Sequence, residues 1–266
     1  MFKNLVLISF ISLPLASENL LDIYNEALDN DPQYKSSEYS LLAGKEFVVQ
    51  GRAGLLPNVT LSGSTNWNEY YQFDELQSAY NNNSVTARLT QPLFRLDSWF
   101  NFKRSKKLTD ASEADFAYAQ QNLIIRTVEK YFGVLRAIDN LNAAVSEEKA
   151  IKKQLDQIQQ RFEVGLSAIT EVQEAQLAYD LSVAAKIRSE GALFNAREEL
   201  NSLIGREIFS IDSLKADIVP ENPNPTTKQE WVDIALKNNY RLQASILRRD
   251  ASQDSARSSA SELSLI

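Results

Sequence analysis

From residue 98 to residue 162 the chain contains no proline and a single glycine, Gly133. A stretch of that length without a breaker, carrying apolar residues at three- and four-residue intervals, predicts one continuous helix. Ile124, Val128, Tyr131, Leu135 and Ile138 recur in a 4-3-4-3 rhythm, and Ile151, Leu155, Ile158 and Phe162 repeat it. That spacing predicts a coiled-coil seam. The pattern breaks at Arg161-Phe162-Glu163-Val164-Gly165-Leu166-Ser167-Ala168. Gly165 alone there enters left-handed backbone space cheaply, and it fits the position that ends a helix. Ser167 or Thr170 is expected to cap the next helix, with Glu171 placing a carboxylate in or beside its first turn. The second arm carries Ile169, Val172, Gln176, Tyr179 and Val183 at 3-4-3-4 and ends at Gly205. Two antiparallel arms follow, residues 98–163 and 168–204, joined by a tip turn at 164–168. The 66 residues of the first arm extend about 100 Å as a helix. A tip held so far out is a place to meet a partner or to close a passage.

Upstream, residues 18–53 also read as helical, with Leu20, Ile23, Tyr24, Ala27 and Leu28 at helical spacing. Asn30-Asp31-Pro32 predicts a kink between two helical pieces, and Gly51 and Gly54 are expected to end the second. This helix and the arm 168–204 have 36 and 37 residues, so the two stacked end to end match the length of the middle helix.

At Val59 the period changes from 3.6 to 2. Val59, Leu61, Gly63, Thr65 and Trp67 alternate with Thr60, Ser62, Ser64 and Asn66, and Val85, Ala87, Leu89 and Gln91 alternate with Thr86, Arg88 and Thr90. These are two strands of about nine residues in a hairpin spanning 58–91, with residues 68–83 expected as a polar loop between them. Nine tilted residues cross a bilayer. The alternation alone favours a water-exposed sheet edge packed on helices. Trp67, Tyr70, Tyr71 and Trp99 near the strand ends suit a headgroup girdle, although a soluble core also uses aromatics.

Composition narrows the chemistry. Residues 1–17 carry Lys3, an apolar run and a small-residue end at Ala16-Ser17, the pattern of a secretory signal peptide cleaved before Glu18. Without Lys3 the remainder holds 27 Lys and Arg against 35 Asp and Glu, a net charge of −8, which argues against a nucleic-acid partner. Cysteine and histidine are both absent, excluding thiol nucleophiles, serine–histidine triads and the usual zinc sites. Neither a metal site nor a cofactor is expected. Glu147-Glu148 and Glu198-Glu199 are adjacent acids on helices, pointing about 100° apart, and read as solvated faces instead of a glycosidase pair. An enzyme therefore has almost no residue support. Lys103, Arg104, Lys106 and Lys107 form a basic cluster that reads as a wet helix face or as a contact for anionic headgroups.

Residues 206–228 hold Pro220, Pro223 and Pro225 and read as a connector. Helical pattern returns at 229–266, where Ala235-Leu236-Lys237-Asn238 matches Ala27-Leu28-Asp29-Asn30 at an offset of 208 residues. The match predicts that residues 18–205 form one structural repeat and that 229–266 begin a second, truncated one.

Taken together, Glu18-Asn19-Leu20-Leu21-Asp22-Ile23-Tyr24, Leu55-Leu56-Pro57, Leu89-Thr90-Gln91-Pro92-Leu93-Phe94, Tyr131-Phe132-Gly133-Val134-Leu135, and Gln154-Leu155-Asp156-Gln157 running into the Gly165 turn resemble the TolC family of outer-membrane channel proteins. The resemblance implies a mainly α fold with a β-hairpin: long antiparallel coiled-coil helices forming an α-barrel tunnel in the periplasm, plus strands contributing to a transmembrane β-barrel in the outer membrane. It implies a homotrimer that serves as a passive exit duct for efflux or type I secretion. A periplasmic adaptor and an inner-membrane pump of RND, ABC or MFS type complete such a system, with outer-membrane lipid around the barrel. It further implies adaptor binding at Val164, Gly165 and Leu166, and a periplasmic gate at Thr170 and Glu171, the latter standing where the family carries Asp. Two strands per protomer give a trimer only six, so either this is half of a longer chain or six copies assemble. The competing reading is a periplasmic structural coiled coil, or adaptor-like hairpin protein, without channel activity.

Overall fold

The computed structural model describes residues 17–214 and 222–263. The leader read at 1–17 lies outside the described residues except for Ser17, as does Pro220 of the connector. The order of elements is α1 (Leu20–Asn30), α2 (Pro32–Ala53), β1 (Asn58–Gln72), β2 (Glu75–Thr90), α3 (Leu96–Glu163), α4 (Ile169–Ile204), α5 (Lys228–Asn238) and α6 (Tyr240–Leu263). They divide into two compact units, one of Met1–Ser36 with Ala119–Thr226, the other of Ser37–Tyr118 with Thr227–Ile266.

In the first unit Asn19 starts α1 through a capping box. Its side chain accepts the N–H groups of Leu21 (2.8 Å) and Asp22 (3.0 Å), and the Asp22 carboxylate takes the Asn19 N–H. The expected kink is a full break at Asp31, whose carboxylate accepts the Tyr34 N–H at 2.8 Å and so starts α2, with Pro32 at the first helical position. The same carboxylate pairs with both terminal nitrogens of the Arg126 guanidinium, at 3.2 and 2.5 Å. The core is Ile23, Ala27, Leu123, Tyr131, Val134, Leu135, Leu200, Leu203 and Ile204 from α1, α3 and α4. Each fully buried aliphatic among them contributes about 2 kcal/mol.

This core departs from the predicted seam. Ile124 is exposed and Val128 only half-buried, while Leu123 and Thr127 are buried. Above Tyr131 the buried stripe is therefore displaced by one residue, because α3 here packs in one core with both α1 and α4 instead of against one partner helix. Toward the tip the two arms run antiparallel. Lys130 Nζ donates to Glu199 O (2.7 Å), Glu148 pairs with Lys186 (3.2 Å), and Lys152 sits over the Tyr179 ring. The buried positions in the tip-ward part of α4 are small, Ala175 and Ser182. The beginning of the connector is strapped down: Glu18 N–H donates to Ser210 O and Asp212 N–H to Glu18 O, while Tyr131 OH donates to Asp212 O at 2.8 Å.

In the second unit α2 approaches α3 closely at two glycines. A Cβ on Gly44 would lie 2.3 Å from Ser112 Oγ, and one on Gly51 would lie 2.4 Å from Ser105 Oγ and 2.6 Å from its Cβ. Gly51 therefore does not end the helix as expected; it lies within α2 and lets the two backbones approach. Thr109 Oγ1 donates to Gly44 O at 2.8 Å across the same seam. On another side of α3 lies α6, tied by Ser258 Oγ to Asp97 O (2.9 Å), Lys107 to Asp250 (3.4 Å) and Arg248 to Asp115.

The strands pair antiparallel from Asn58↔Thr90 to Gln72↔Glu75, with one irregularity at Tyr70/Tyr71. Residues 68–83 are thus not a loop. The reversal is made by Phe73 and Asp74, both at positive φ (53° and 66°), as a two-residue hairpin turn requires. Asparagines disfavour strands by propensity, but here they find cross-strand partners: Asn66 faces Asn82, and Thr65 Oγ1 donates to Asn81 Oδ1 at 2.9 Å.

A shift of 208 residues carries α1 onto α5 with its caps. Thr227 accepts the Glu230 N–H as N-cap, and Asn239 breaks the helix where Asp31 does. The Asn239 N–H donates to Ala235 O at 2.9 Å, as Asp31 N–H does to Ala27 O. The Asn239 side chain accepts the Leu242 N–H at 3.1 Å, as Asp31 accepts that of Tyr34.

Candidate functional site

The hairpin has two chemically distinct faces. Directly opposed residues share a face, so Val59, Leu61, Gly63 and Thr65 stand with Leu89, Ala87, Val85 and Asn83, and Thr60, Ser62 and Ser64 with Arg88, Thr86 and Ser84. The first face is apolar and open: Val59 is 71% exposed, Leu61 75%, Val85 80% and Leu89 68%. The second is polar and partly bonded within itself, with Ser64 and Ser84 hydroxyls 2.8 Å apart. Among the described residues β1 and β2 form a two-stranded sheet, so each strand has an edge without a ladder partner.

The apolar face ends at Trp67, whose indole N–H donates to Glu69 Oε1 at 3.0 Å; the Tyr71 hydroxyl donates to the other oxygen at 2.7 Å. Two aromatic rings with polar tips thus rim that face. Tyr70, grouped with them by sequence, lies on the opposite, polar face by strand alternation. Trp99 is outside the sheet, on the first turns of α3, 6.1 Å from the Phe102 ring and with Lys103 Nζ 5.7 Å from its own centroid. Leu93 and Phe94, between β2 and α3, are more exposed than any of these and were not singled out from the sequence as site residues. Arg95 and Asp97 follow as an ion pair; the Arg95 hydrogen bond holds the Asp97 carboxyl below its usual range.

At the other end of α3 the tip is a Schellman turn. Gly165 takes φ +76°, its N–H donates to Phe162 O (2.9 Å), and Leu166 N–H donates to Arg161 O (2.8 Å). The apolar contact that usually closes this motif is missing, because its inner position is Arg161, and Val164 and Leu166 are 69% and 70% exposed. The helix that follows starts at Ala168, which offers no side-chain cap. Neither Ser167 nor Thr170 caps it. Ser167 instead donates its hydroxyl to the Glu171 carboxylate, which occupies the first turn where the dipole favours it. Thr170 and Glu171 are both exposed, and the structure joins neither to another helix among the described residues.

No helix among the described residues is long and apolar enough to cross a membrane, and no three metal-ligating side chains cluster there. The chain offers faces, edges and an exposed turn.

Residues 23–206 match the outer membrane efflux protein family. Outer membrane protein TolC of Vibrio cholerae serotype O1 is 33% identical over 244 residues, covering 92% of this chain and 55% of that protein. The alkaline protease secretion protein AprF of Pseudomonas aeruginosa is 29% identical over 233 residues, 84% of this chain and 48% of that one. The chain spans about half the length of the curated relatives it matches. Among solved structures, the Campylobacter jejuni CmeC outer membrane channel superposes with a TM-score of 0.74 at 19% identity, over 90% of this chain and 52% of that one. The fold is thus that of TolC-like outer-membrane channels, helical-tunnel elements joined to barrel strands, in a family of channel proteins and not of enzymes. The chain belongs to the outer membrane efflux protein family.

Proposed function

We propose that this chain supplies the first repeat of an outer-membrane exit duct for efflux or type I secretion, working as a homotrimer with a periplasmic adaptor and an inner-membrane pump. The observation that carries the reading is the hairpin. Its apolar face is bare and both its edges are free, a combination that water and lipid each reject unless further strands close a barrel. Residues 58–67 and 81–90 give ten residues per strand, which at about 40° of tilt rise about 25 Å, the height of a barrel's apolar band. Trp67 and Tyr71 then sit at the outer headgroup level and Trp99 near the inner one, while residues 72–79 stand beyond the membrane as a ribbon. Tyr70, on the polar face, borders the lumen.

With two hairpins per protomer, three protomers give twelve strands; the second hairpin belongs to the repeat that α5 and α6 begin. Residues 206–228 connect the two repeats. The open turn at Val164, Gly165 and Leu166 is the adaptor contact, its two aliphatic side chains free for a partner's groove. Thr170 and Glu171 hold the tunnel end closed by bonding to a neighbouring helix. Transport is passive, and the pump, of RND, ABC or MFS type, selects cargo.

The test is reconstitution of the full-length protein. Detergent-resistant trimers and discrete conductance steps in planar bilayers are expected. A strictly monomeric, water-soluble product without conductance overturns the reading.

A further inference from the structure

Within the ten-residue strand segments 58–67 and 81–90, Arg88 is the only ionisable side chain. It stands opposite Thr60 on the polar face, in line with Ser62, Ser64, Thr86 and Ser84, while its neighbours Ala87 and Leu89 belong to the apolar face. The Thr60 hydroxyl donates to the Arg88 carbonyl at 3.4 Å, a bond that engages the backbone and leaves the guanidinium out of it. Arg88 is two residues from the end of β2, so its Cα lies about 7 Å from the strand terminus and on the side from which α2 arrives and α3 departs.

A guanidinium remains charged throughout the accessible pH range, and its cost on a lipid-facing position, about 2–4 kcal/mol at mid-membrane, falls away on a water-filled lumen. A face of hydroxyls and amides on which this hairpin places one permanent cation is a selectivity element: rings of Arg or Lys are how pores favour anions.

Resting on the reading of the hairpin as part of a trimeric barrel, we propose that three copies of Arg88 form a cationic ring at the inner mouth of that barrel, concentrating anionic solutes and opposing cations. The ring acts through space, so its reach follows the Debye length: about 30 Å at 0.01 M salt, which fills the lumen, and about 3 Å at 1 M, which leaves the axis screened. For charges about 10 Å from the axis, anion enrichment at low salt is on the order of threefold to fivefold and vanishes at 1 M.

The experiment measures reversal potentials of the full-length protein in planar bilayers under salt gradients. Arg88→Gln is expected to raise the cation-to-anion permeability ratio several-fold in the 0.01 M range and to leave it unchanged near 1 M. Arg88→Lys, which keeps the charge, is expected to match the unaltered protein. Channels that conduct normally but show the same selectivity with and without the charge overturn the role of Arg88 and leave the duct intact. A shift of equal size at low and high salt also overturns the ring. Absence of conductance from the unaltered protein overturns both readings.

Discussion

Asp31 holds two jobs that substitution can separate. Its carboxylate caps α2 at the Tyr34 N–H and pairs with Arg126, and only 3% of it is exposed. Asparagine caps a helix as well as aspartate does, and the chain carries its own control in Asn239, which makes the equivalent bond to Leu242. Asp31→Asn therefore keeps the cap and removes the charge, leaving the Arg126 guanidinium, already without a partner at Nε, inside the fold uncompensated. Breaking a buried pair from one side costs about 3–5 kcal/mol. Since the Arg126 side chain keeps 21% of its exposure, water recovers part of that, and about 2–3 kcal/mol is expected. Asp31→Ala loses the cap as well, about 1 kcal/mol more. Asp31→Asn with Arg126→Met removes both charges and is expected to return within about 1 kcal/mol of the parent.

The pH dependence has a definite sign. Burial pushes the Asp31 carboxyl up, but the Arg126 hydrogen bond, the Tyr34 N–H and the Arg126 charge together hold it below its ordinary value. A depressed carboxyl contributes stability that is fully present above the ordinary carboxylate range and is lost as pH falls through the folded value. The deficit of Asp31→Asn is thus constant near neutrality and shrinks in acid. Urea unfolding at pH 7 and in steps below pH 4, read by circular dichroism, measures both. A neutral-pH deficit under about 0.5 kcal/mol, or one that grows in acid, refutes the reasoning.

Three shorter predictions concern the other elements. Gly165→Val forces a β-branched residue to φ +76°, costs about 1–2 kcal/mol locally, and is expected to weaken retention of the adaptor in a pull-down; retention equal to the parent's refutes the tip contact. Gly51→Ala drives a Cβ to within 2.6 Å of that of Ser105, and overpacking of about 1–3 kcal/mol outweighs the gain in helix propensity of about 1 kcal/mol. A lower Tm, partly recovered by adding Ser105→Gly, is expected. Leu61→Lys places a charge on the apolar face for about 2–4 kcal/mol, whereas Ser62→Lys points it the other way; trimers resistant to heating in detergent are expected to be lost in the first and kept in the second.

What could be read from the sequence depended on whether a residue's requirement was local. Gly165 was legible because a positive φ between two heptad patterns leaves glycine as the natural choice. The 208-residue repeat was visible from four residues, since Asn238 and Asn30 precede the same kind of break. Residues whose roles depend on a distant partner were not legible. Gly51 resembles a helix terminator in sequence, and only Ser105 across the seam shows that a missing Cβ is needed for approach. The asparagines between 66 and 83 read as loop because their strand pairing is supplied from across the hairpin. Ile124 followed the seam period, but it is the neighbouring Leu123 that is buried in the core shared with α1 and α4. The cap at Ala168 had no signal at all, because the polar group that serves the first turn, Glu171, is itself held by Ser167 from outside the helix.

The two free edges of the hairpin also bear on how such a channel is made. Hydrocarbon provides no water to satisfy the outward N–H and C=O groups of β1 and β2, so a solitary protomer has no resting place in the bilayer. If the chain builds a trimeric barrel as proposed, membrane entry and subunit association become a single concerted event, whose rate rises more steeply than in proportion to the supply of chains. Slow synthesis would leave protomers in the periplasm with their strands unclosed, exposed to proteases, and the number of finished ducts would respond to expression as a threshold instead of a ramp.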